Sequence, residues 1–126
     1  MTIAFWCVLA AGLLPYAATV VAKSRPGFDN ANPRAWLQDQ HGFRQRANSA
    51  QLNGFEAFPL FAAAVIIATY LQTPQQTVNG LAVGFLVARV LYIVCYITNK
   101  ATLRTLVWFL GLLCCISLLF VGPHAR

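Results

Sequence analysis

Glu56 and Arg89 are ionisable residues that lie within long apolar stretches of the sequence. A charged side chain inside the hydrocarbon core of a membrane is costly, so it usually faces the interior of a helix bundle, has a polar partner and serves a function. The opposite charges of Glu56 and Arg89 make them natural partners, within one subunit or across a subunit boundary. A buried ion pair of this kind would fix which helices pack together.

Further polar residues share a helical face with each of these two. Helical spacing places them in two groups: Arg46, Asn53 and Glu56, and Arg89, Tyr92 and Tyr96. One carboxylate cannot satisfy all these donors, so the surplus indicates an anionic ligand at the membrane boundary. Arg46 and Arg104 could instead anchor lipid headgroups. That role is also expected for three further cations: Lys23, Arg25 and Lys100.

The composition identifies the kind of chain that carries these residues. Of its 126 residues, 59% are apolar, 10% are charged and only Asp29, Asp39 and Glu56 are acidic. The apolar share exceeds the roughly 45–50% of soluble proteins, which excludes a soluble globule, and the same hydrophobicity excludes a disordered chain. The net charge of +6 comes from Lys and Arg that flank apolar runs, so membrane lipids are expected partners and nucleic acid is not.

Four apolar windows are long enough to cross a bilayer, which takes roughly 17–25 residues. They run from Thr2 to Ala22, from Leu52 to Leu71, from Val78 to Thr98 and from Thr105 to Gly122. Each is too long and too uniform for a strand of a membrane barrel. The prediction is one domain, 1–126, that forms an all-α integral membrane four-helix bundle. The helices are expected at about 2–22, 44–71, 78–98 and 104–122, with a long cytoplasmic loop at 23–43.

The connections between these helices differ in charge. Lys and Arg are concentrated in the first connection, and the third contains Lys100 and Arg104, whereas residues 72–77 contain none. Because basic residues accumulate in cytoplasmic loops of membrane proteins, the first and third connections are expected in the cytoplasm and both termini outside it. No organellar targeting segment precedes the first helix, so a bacterial inner membrane is expected.

The cysteines are Cys7, Cys95, Cys114 and Cys115, and all four lie in apolar segments. They form no Cys-x-x-Cys pair and have no His at ligand spacing, so neither a disulfide framework nor a metal site is predicted. We expect them to act as small apolar packing residues.

Motifs in three of the expected helices resemble those of a known family. The segment 46–59 resembles the Arg…Asn-x-x-Glu-x-x-Pro signature of helix two in the membrane-associated proteins in eicosanoid and glutathione metabolism, the MAPEG family; its residues here are Arg46, Asn53, Glu56 and Pro59. The residues Arg89, Tyr92 and Tyr96 are similar to the helix-three pattern of the same family. Arg104-Thr105 is similar to the start of its helix four.

The resemblance implies a homotrimer that binds glutathione as a co-substrate between neighbouring subunits, near the cytoplasmic face. Asn53 and Glu56 would hold the amino and amide groups of the tripeptide, and Arg46 and Arg89 would support them or bind carboxylates. Tyr92 and Tyr96 would line the site. Arg104, with Thr105, would stabilise the thiolate, and Tyr96 is the rival donor.

This chain also departs from the family pattern. Eicosanoid-type members carry additional arginines where this chain has Ser49 and Leu52, and a common His position is Tyr92 here. Fewer guanidinium groups are therefore available for a tripeptide with two carboxylates.

The leading functional hypothesis is a glutathione-dependent transferase or peroxidase that acts on a small lipophilic electrophile from the bilayer. The alternative is a non-catalytic protein of the same fold that binds a lipid or scaffolds a partner. Arg104 and Tyr96 separate the two, because an enzyme needs a donor within hydrogen-bond reach of the sulfur. A proton-coupled multidrug exporter is disfavoured, since Arg89 would hold Glu56 ionised and prevent its proton cycle.

Overall fold

The computed structural model describes the backbone of residues 1–124 and the side chains of residues 1–121. Its helices, in chain order, are α1 (Ile3–Ala22), α2 (Pro33–Gln38), α3 (Phe43–Tyr70), α4 (Gln75–Ile97) and α5 (Ala101–His124). Residues 1–124 contain no strand, and within them α1, α3, α4 and α5 are long and apolar enough to cross a membrane. The prediction of an all-α four-helix membrane bundle is confirmed.

Helix α4 begins at Gln75, ahead of the expected start at 78. The backbone amides of Thr77 and Val78 donate to the carbonyl of Pro74, at 3.0 and 3.2 Å, which closes the first turn. The residues of that turn are polar, so a count of apolar residues does not reveal it.

The connection between α1 and α3 contains the short helix α2, where the sequence predicted a loop. Pro33 occupies its first position, where a missing N–H and a fixed φ suit a helix start. Gly42, with φ +66°, separates α2 from α3, a left-handed conformation that favours glycine. Leu37 is buried against Ala22 and Ala47, so α2 is packed onto the bundle.

The core consists mainly of small residues, which allow the helices to approach closely. Helix α3 packs against α1 and α4, and α4 also packs against α5. The rings of Phe61 and Phe85 stack with centroids 4.0 Å apart between α3 and α4. All four cysteines are free; three are buried and Cys114 is partly buried, as expected for packing residues. Large apolar side chains on the outer surface, such as Trp6 and Phe109, are exposed to the surroundings of the chain.

Successive spanning helices run in opposite directions, so the polar residues of three helices meet at one end of the bundle. The start of α3, the end of α4 and the start of α5 lie together there, and a hydrogen bond from Arg46 to Ile97 joins α3 to α4. We call this the basic end. The starts of α1 and α4 meet at the opposite, neutral end, where the amide of Ala4 donates to Oδ1 of Asn79 at 3.1 Å.

Candidate functional site

The turn from α4 to α5 at the basic end is a Schellman motif. Asn99 has φ +63°, and its N–H donates to the carbonyl of Tyr96 at 3.2 Å. The N–H of Lys100 donates to the carbonyl of Cys95 at 2.8 Å. These two bonds satisfy two of the carbonyls that a helix leaves without donors at its end. The next carbonyl, that of Ile97, accepts from Nε and Nη2 of Arg46 at 3.2 and 3.1 Å.

A row of two tyrosine rings between two cations runs along α4 and ends at the start of α5. The guanidinium carbon of Arg89 lies 4.3 Å from the centroid of the Tyr92 ring, and that of Arg104 lies 4.4 Å from the centroid of Tyr96. The two tyrosine rings meet edge to face with centroids 5.6 Å apart. A cation over an aromatic face is attracted to the ring quadrupole and keeps its N–H groups available for other acceptors. The sequence predicted that Arg89, Tyr92 and Tyr96 share one face of a helix, and in the structure they do.

A cavity of about 260 Å³ lies between α3, α4 and α5, and we call it the inner cavity. Its walls carry three polar side chains that the sequence singled out, Asn53, Glu56 and Arg89. The remaining lining includes Ala57, Leu60, Phe85, Trp108, Gly111, Leu112 and Cys115. The inner cavity is therefore apolar with a polar corner, which is the usual composition of a small-molecule site.

Two residues that line the inner cavity each have a buried polar atom without a hydrogen-bond partner among the described residues. Arg89 is only 5% exposed, and its Nη2 atom is buried without an acceptor there. Oδ1 of Asn53 is buried without a donor from the same residues. Most buried polar atoms in proteins are hydrogen-bonded, so an exception calls for a ligand, a partner or a catalytic role. A ligand that satisfies both atoms needs a hydrogen-bond acceptor beside a hydrogen-bond donor.

The expected ion pair between Glu56 and Arg89 is not formed within the described part of one chain. Glu56 is exposed at the rim of the inner cavity, whereas Arg89 is buried in its wall. The two residues therefore line the same cavity at different depths. The expectation that both face the bundle interior therefore holds for Arg89, whereas Glu56 is exposed, because helical spacing carries no information on depth.

A second cavity of about 720 Å³ lies at the basic end between α1, α2 and α3, and we call it the outer cavity. Glu56 also lines this cavity, together with Lys23 and Arg34. Its floor contains Asn48 and Gln51, which sequence reasoning did not select. Nε2 of Gln51 donates to Oδ1 of Asn48 at 2.9 Å, and Oε1 of Gln51 accepts from the hydroxyl of Thr19. The spacing of three between Asn48 and Gln51 was the available signal for a shared polar face.

Thr105 lies apart from the other polar residues of the candidate site. Its side chain is exposed, and its hydroxyl donates to the carbonyl of Ala101 at 3.1 Å. Arg104, one residue earlier, contacts the ring of Tyr96 instead. The structure thus gathers Asn53, Glu56 and Arg89 in the inner cavity, and it joins Tyr92, Tyr96 and Arg104 in the cation and ring row. Arg46 belongs to α3, and its side chain reaches the C-terminal end of α4.

The fold and the site define an integral membrane helical bundle with a partly polar cavity between its helices. A family model described as the MAPEG family matches residues 3–122, nearly the whole chain. The chain belongs to the MAPEG family. Members of this family are generally linked to glutathione metabolism and are generally oligomeric. Comparisons with curated proteins and with solved structures gave no match.

Proposed function

We propose that the protein is a membrane-bound glutathione-dependent transferase or peroxidase that acts on lipophilic electrophiles. The observation that carries this proposal is that two residues lining the inner cavity have unsatisfied buried atoms, Nη2 of Arg89 and Oδ1 of Asn53. A peptide group supplies one acceptor and one donor, so an amide of glutathione can satisfy both atoms. The exposed carboxylate of Glu56 at the rim can accept from the ammonium group of the same tripeptide.

The proposed chemistry depends on Arg104 of α5 and Tyr96 of α4, which contact each other at the basic end. A guanidinium near a thiol favours the thiolate, and the thiolate is the nucleophile. The stacking of Arg104 on Tyr96 holds the cation in place without using its N–H groups. In conjugation, an electron pair of the thiolate sulfur forms a bond to carbon while the leaving group departs with its own pair. The phenol of Tyr96 is the second available donor to the sulfur.

We further propose a homotrimer with glutathione bound between subunits. Among the described residues of one chain, Glu56 is exposed, Arg89 Nη2 has no acceptor, and many large apolar side chains face outward. A neighbouring subunit would cover part of this surface and complete the site. The remaining apolar surface would contact lipid, from which a small lipophilic substrate reaches the cavity directly.

Thermal stabilisation of the purified protein in detergent tests the ligand. Glutathione at about 100 times its dissociation constant should stabilise the folded state by about 2.7 kcal/mol. Cysteine and cysteinylglycine, which lack the γ-glutamyl group, are the controls and should stabilise much less. Conjugation of an activated aryl halide and reduction of a hydroperoxide then distinguish transferase from peroxidase. Equal stabilisation by all three thiols would contradict specific binding of glutathione.

The second candidate function is a non-catalytic lipid-binding or scaffold protein of the same fold. The apolar lining of the inner cavity favours it, because Leu60, Phe85 and Leu112 could hold an acyl chain. The two candidates differ in the sulfur chemistry. A protein that binds glutathione without ultraviolet thiolate absorbance near neutral pH, and that conjugates no electrophile, would be a binder.

We propose that the basic end faces the cytoplasm of a bacterial cell, with both termini outside. The support is the concentration of Lys and Arg in the first and third connections. Cysteine labelling in intact cells tests it through Asp39→Cys at the basic end and Gln75→Cys at the neutral end. Labelling of Gln75→Cys alone by an impermeant reagent is expected, and labelling of Asp39→Cys alone would invert the orientation.

A further inference from the structure

We propose that Arg46 is a positioning residue, which acts by holding the C-terminal end of α4 and thereby fixes Tyr96 and Arg104. The effect of Arg46 on the thiolate rests on the proposed function, whereas the contact between Arg46 and the carbonyl of Ile97 does not. The resemblance to a family implies that Arg46 either supports the groups that hold glutathione or binds one of its carboxylates. In the structure, its side chain instead donates to a backbone carbonyl of the protein, that of Ile97.

Arg46 binds a backbone acceptor at the end of a helix. The Schellman motif uses the carbonyls of Cys95 and Tyr96, and Arg46 supplies two N–H donors to the next carbonyl in the helix, that of Ile97. The end of a helix carries a partial negative charge from its free carbonyls, so a guanidinium at this position is favourable. Two bonds from a planar group also restrict the direction in which the helix end can move.

The carbonyl that Arg46 binds lies next to the two groups proposed to stabilise the thiolate. Tyr96 directly precedes Ile97 and lies under the guanidinium of Arg104. Only residues 98–100 separate α4 from α5, and the amide of Arg104 donates to the carbonyl of Lys100 at 2.9 Å. A displacement of the end of α4 is therefore transmitted through a short, hydrogen-bonded turn to Arg104.

Arg46 is also separate from the other polar residues of the candidate site. Among the described residues, those lining the inner cavity and the outer cavity do not include Arg46. Its side chain is partly buried between α3 and α4. An effect of Arg46 on glutathione should therefore reach the sulfur through α4, and it should leave the contacts made by Asn53, Glu56 and Arg89 in place.

Two substitutions and one control variant test this assignment on the full-length protein in detergent. Arg46→Gln removes the charge and the guanidinium group with its two donor nitrogens, whereas Arg46→Lys keeps the charge on a single donor nitrogen. Arg25→Gln is the control, because it removes the same charge from an exposed position at the basic end that lines neither cavity and has no described contact to α4. The measurements are hydrogen exchange of residues 98–104, the dissociation constant of glutathione, and the pH midpoint of its thiolate absorbance.

We expect Arg46→Gln to speed amide exchange in residues 98–104 by about tenfold or more, the effect of losing a hydrogen bond to a charged group. The thiolate midpoint should rise by about one pH unit while the dissociation constant changes by less than about threefold. Arg46→Lys should show smaller versions of both effects, and Arg25→Gln should produce neither.

Two results would overturn the assignment. If Arg46→Gln weakened glutathione binding strongly with exchange unchanged, Arg46 would be a direct ligand. If exchange rose and the thiolate midpoint stayed constant, the contact would be structural only. If the wild-type protein binds no glutathione, the proposed function fails. The contact between Arg46 and the end of α4 is tested separately, and unchanged amide exchange in Arg46→Gln would disprove it.

Discussion

The turns at the two ends of the bundle have the same backbone geometry. Gln72 after α3 has φ +59°, and Asn99 after α4 has φ +63°. In the first turn the N–H of Thr73 donates to the carbonyl of Ala68 at 3.0 Å, and in the second that of Lys100 donates to Cys95 at 2.8 Å. Both are Schellman motifs, so backbone geometry alone does not distinguish the end that carries the candidate chemistry.

The side chains around the two turns differ completely. Residues 71–77 contain no charged residue, and Oδ1 of Asn79 accepts from the amide of Ala4 at 3.1 Å and from Nε2 of Gln75 at 2.7 Å. At the basic end, Arg46 binds the last helical carbonyl and Arg104 stacks on Tyr96. Neutral amides thus hold one end and guanidinium groups hold the other. We infer that the neutral end serves stability and the basic end serves the ligand.

The strongest test of this difference between the two ends is the removal of Arg104, the proposed donor to the thiolate at the basic end. Arg104→Gln should lower kcat by about 10²–10³, the usual cost of removing one charge-stabilising donor. The pKa of bound glutathione should return towards the model thiol value of about 8.5, because no cation remains beside the sulfur. Glutathione affinity should largely survive. Lys100→Gln, which removes one charge from the adjacent turn, is the control and should retain the thiolate absorbance.

Two outcomes would reassign these roles. Loss of both binding and thiolate absorbance in Arg104→Gln would make Arg104 an anchor for a carboxylate of glutathione. Loss of the absorbance in Tyr96→Phe, with retention in Arg104→Gln, would make the phenol the donor.

The second test concerns Arg89, whose buried guanidinium should strengthen glutathione binding and lower the stability of the protein without ligand. Arg89→Met keeps an unbranched side chain and removes a charge whose Nη2 atom has no acceptor among the described residues. Replacing buried charges with apolar groups is often neutral or stabilising, so the melting temperature without ligand should stay constant or rise. Glutathione binding should weaken by about 10- to 100-fold, the value of a charged hydrogen bond. A lower melting temperature with unchanged affinity would show that Arg89 is structural.

Sequence patterns were sufficient for the fold and for part of the candidate site. Long apolar runs determine four spanning helices, because backbone groups in lipid must be satisfied within a helix. Helical spacing also placed Arg89, Tyr92 and Tyr96 on one face, where the structure shows their rings and charges in contact.

Other features could not be predicted because they depend on depth or on backbone partners. Spacing assigned Glu56 and Arg89 to the interior but could not show that one is exposed and the other buried. The acceptor of Arg46 is a carbonyl on another helix, and a backbone carbonyl carries no residue-specific signal. Helix α2 is short, and its tertiary contacts through Leu37 decide its position.

The third test asks whether the close contact between α1 and α3 in the middle of the bundle contributes to stability, as the neutral end is inferred to do. A Cβ atom added to Gly54 would lie 2.7 Å from Cγ of Pro15, a ring atom that cannot rotate away. Gly54→Ala should therefore push α1 from α3 and destabilise the fold by about 1–3 kcal/mol, the usual cost of overpacking. Gly80→Ala is the matched control, since nothing lies within 4 Å of the added atom. An equal melting temperature for both variants would show that the α1 and α3 contact adapts.

The smallest expected effect comes from the neutral end itself. Asn79→Ala removes the oxygen that accepts from the amide of Ala4 in the first turn of α1 and from Nε2 of Gln75. Loss of a helix-capping acceptor typically costs about 1 kcal/mol, so the melting temperature should fall slightly. Glutathione affinity and the thiolate midpoint should not change, because the substitution lies at the opposite end from Arg46 and Arg104. Gln76→Ala, an exposed neighbour on the same helix, should affect neither stability nor ligand. A shift of the thiolate midpoint in Asn79→Ala as large as that in Arg46→Gln would show that the two ends are mechanically coupled through α4.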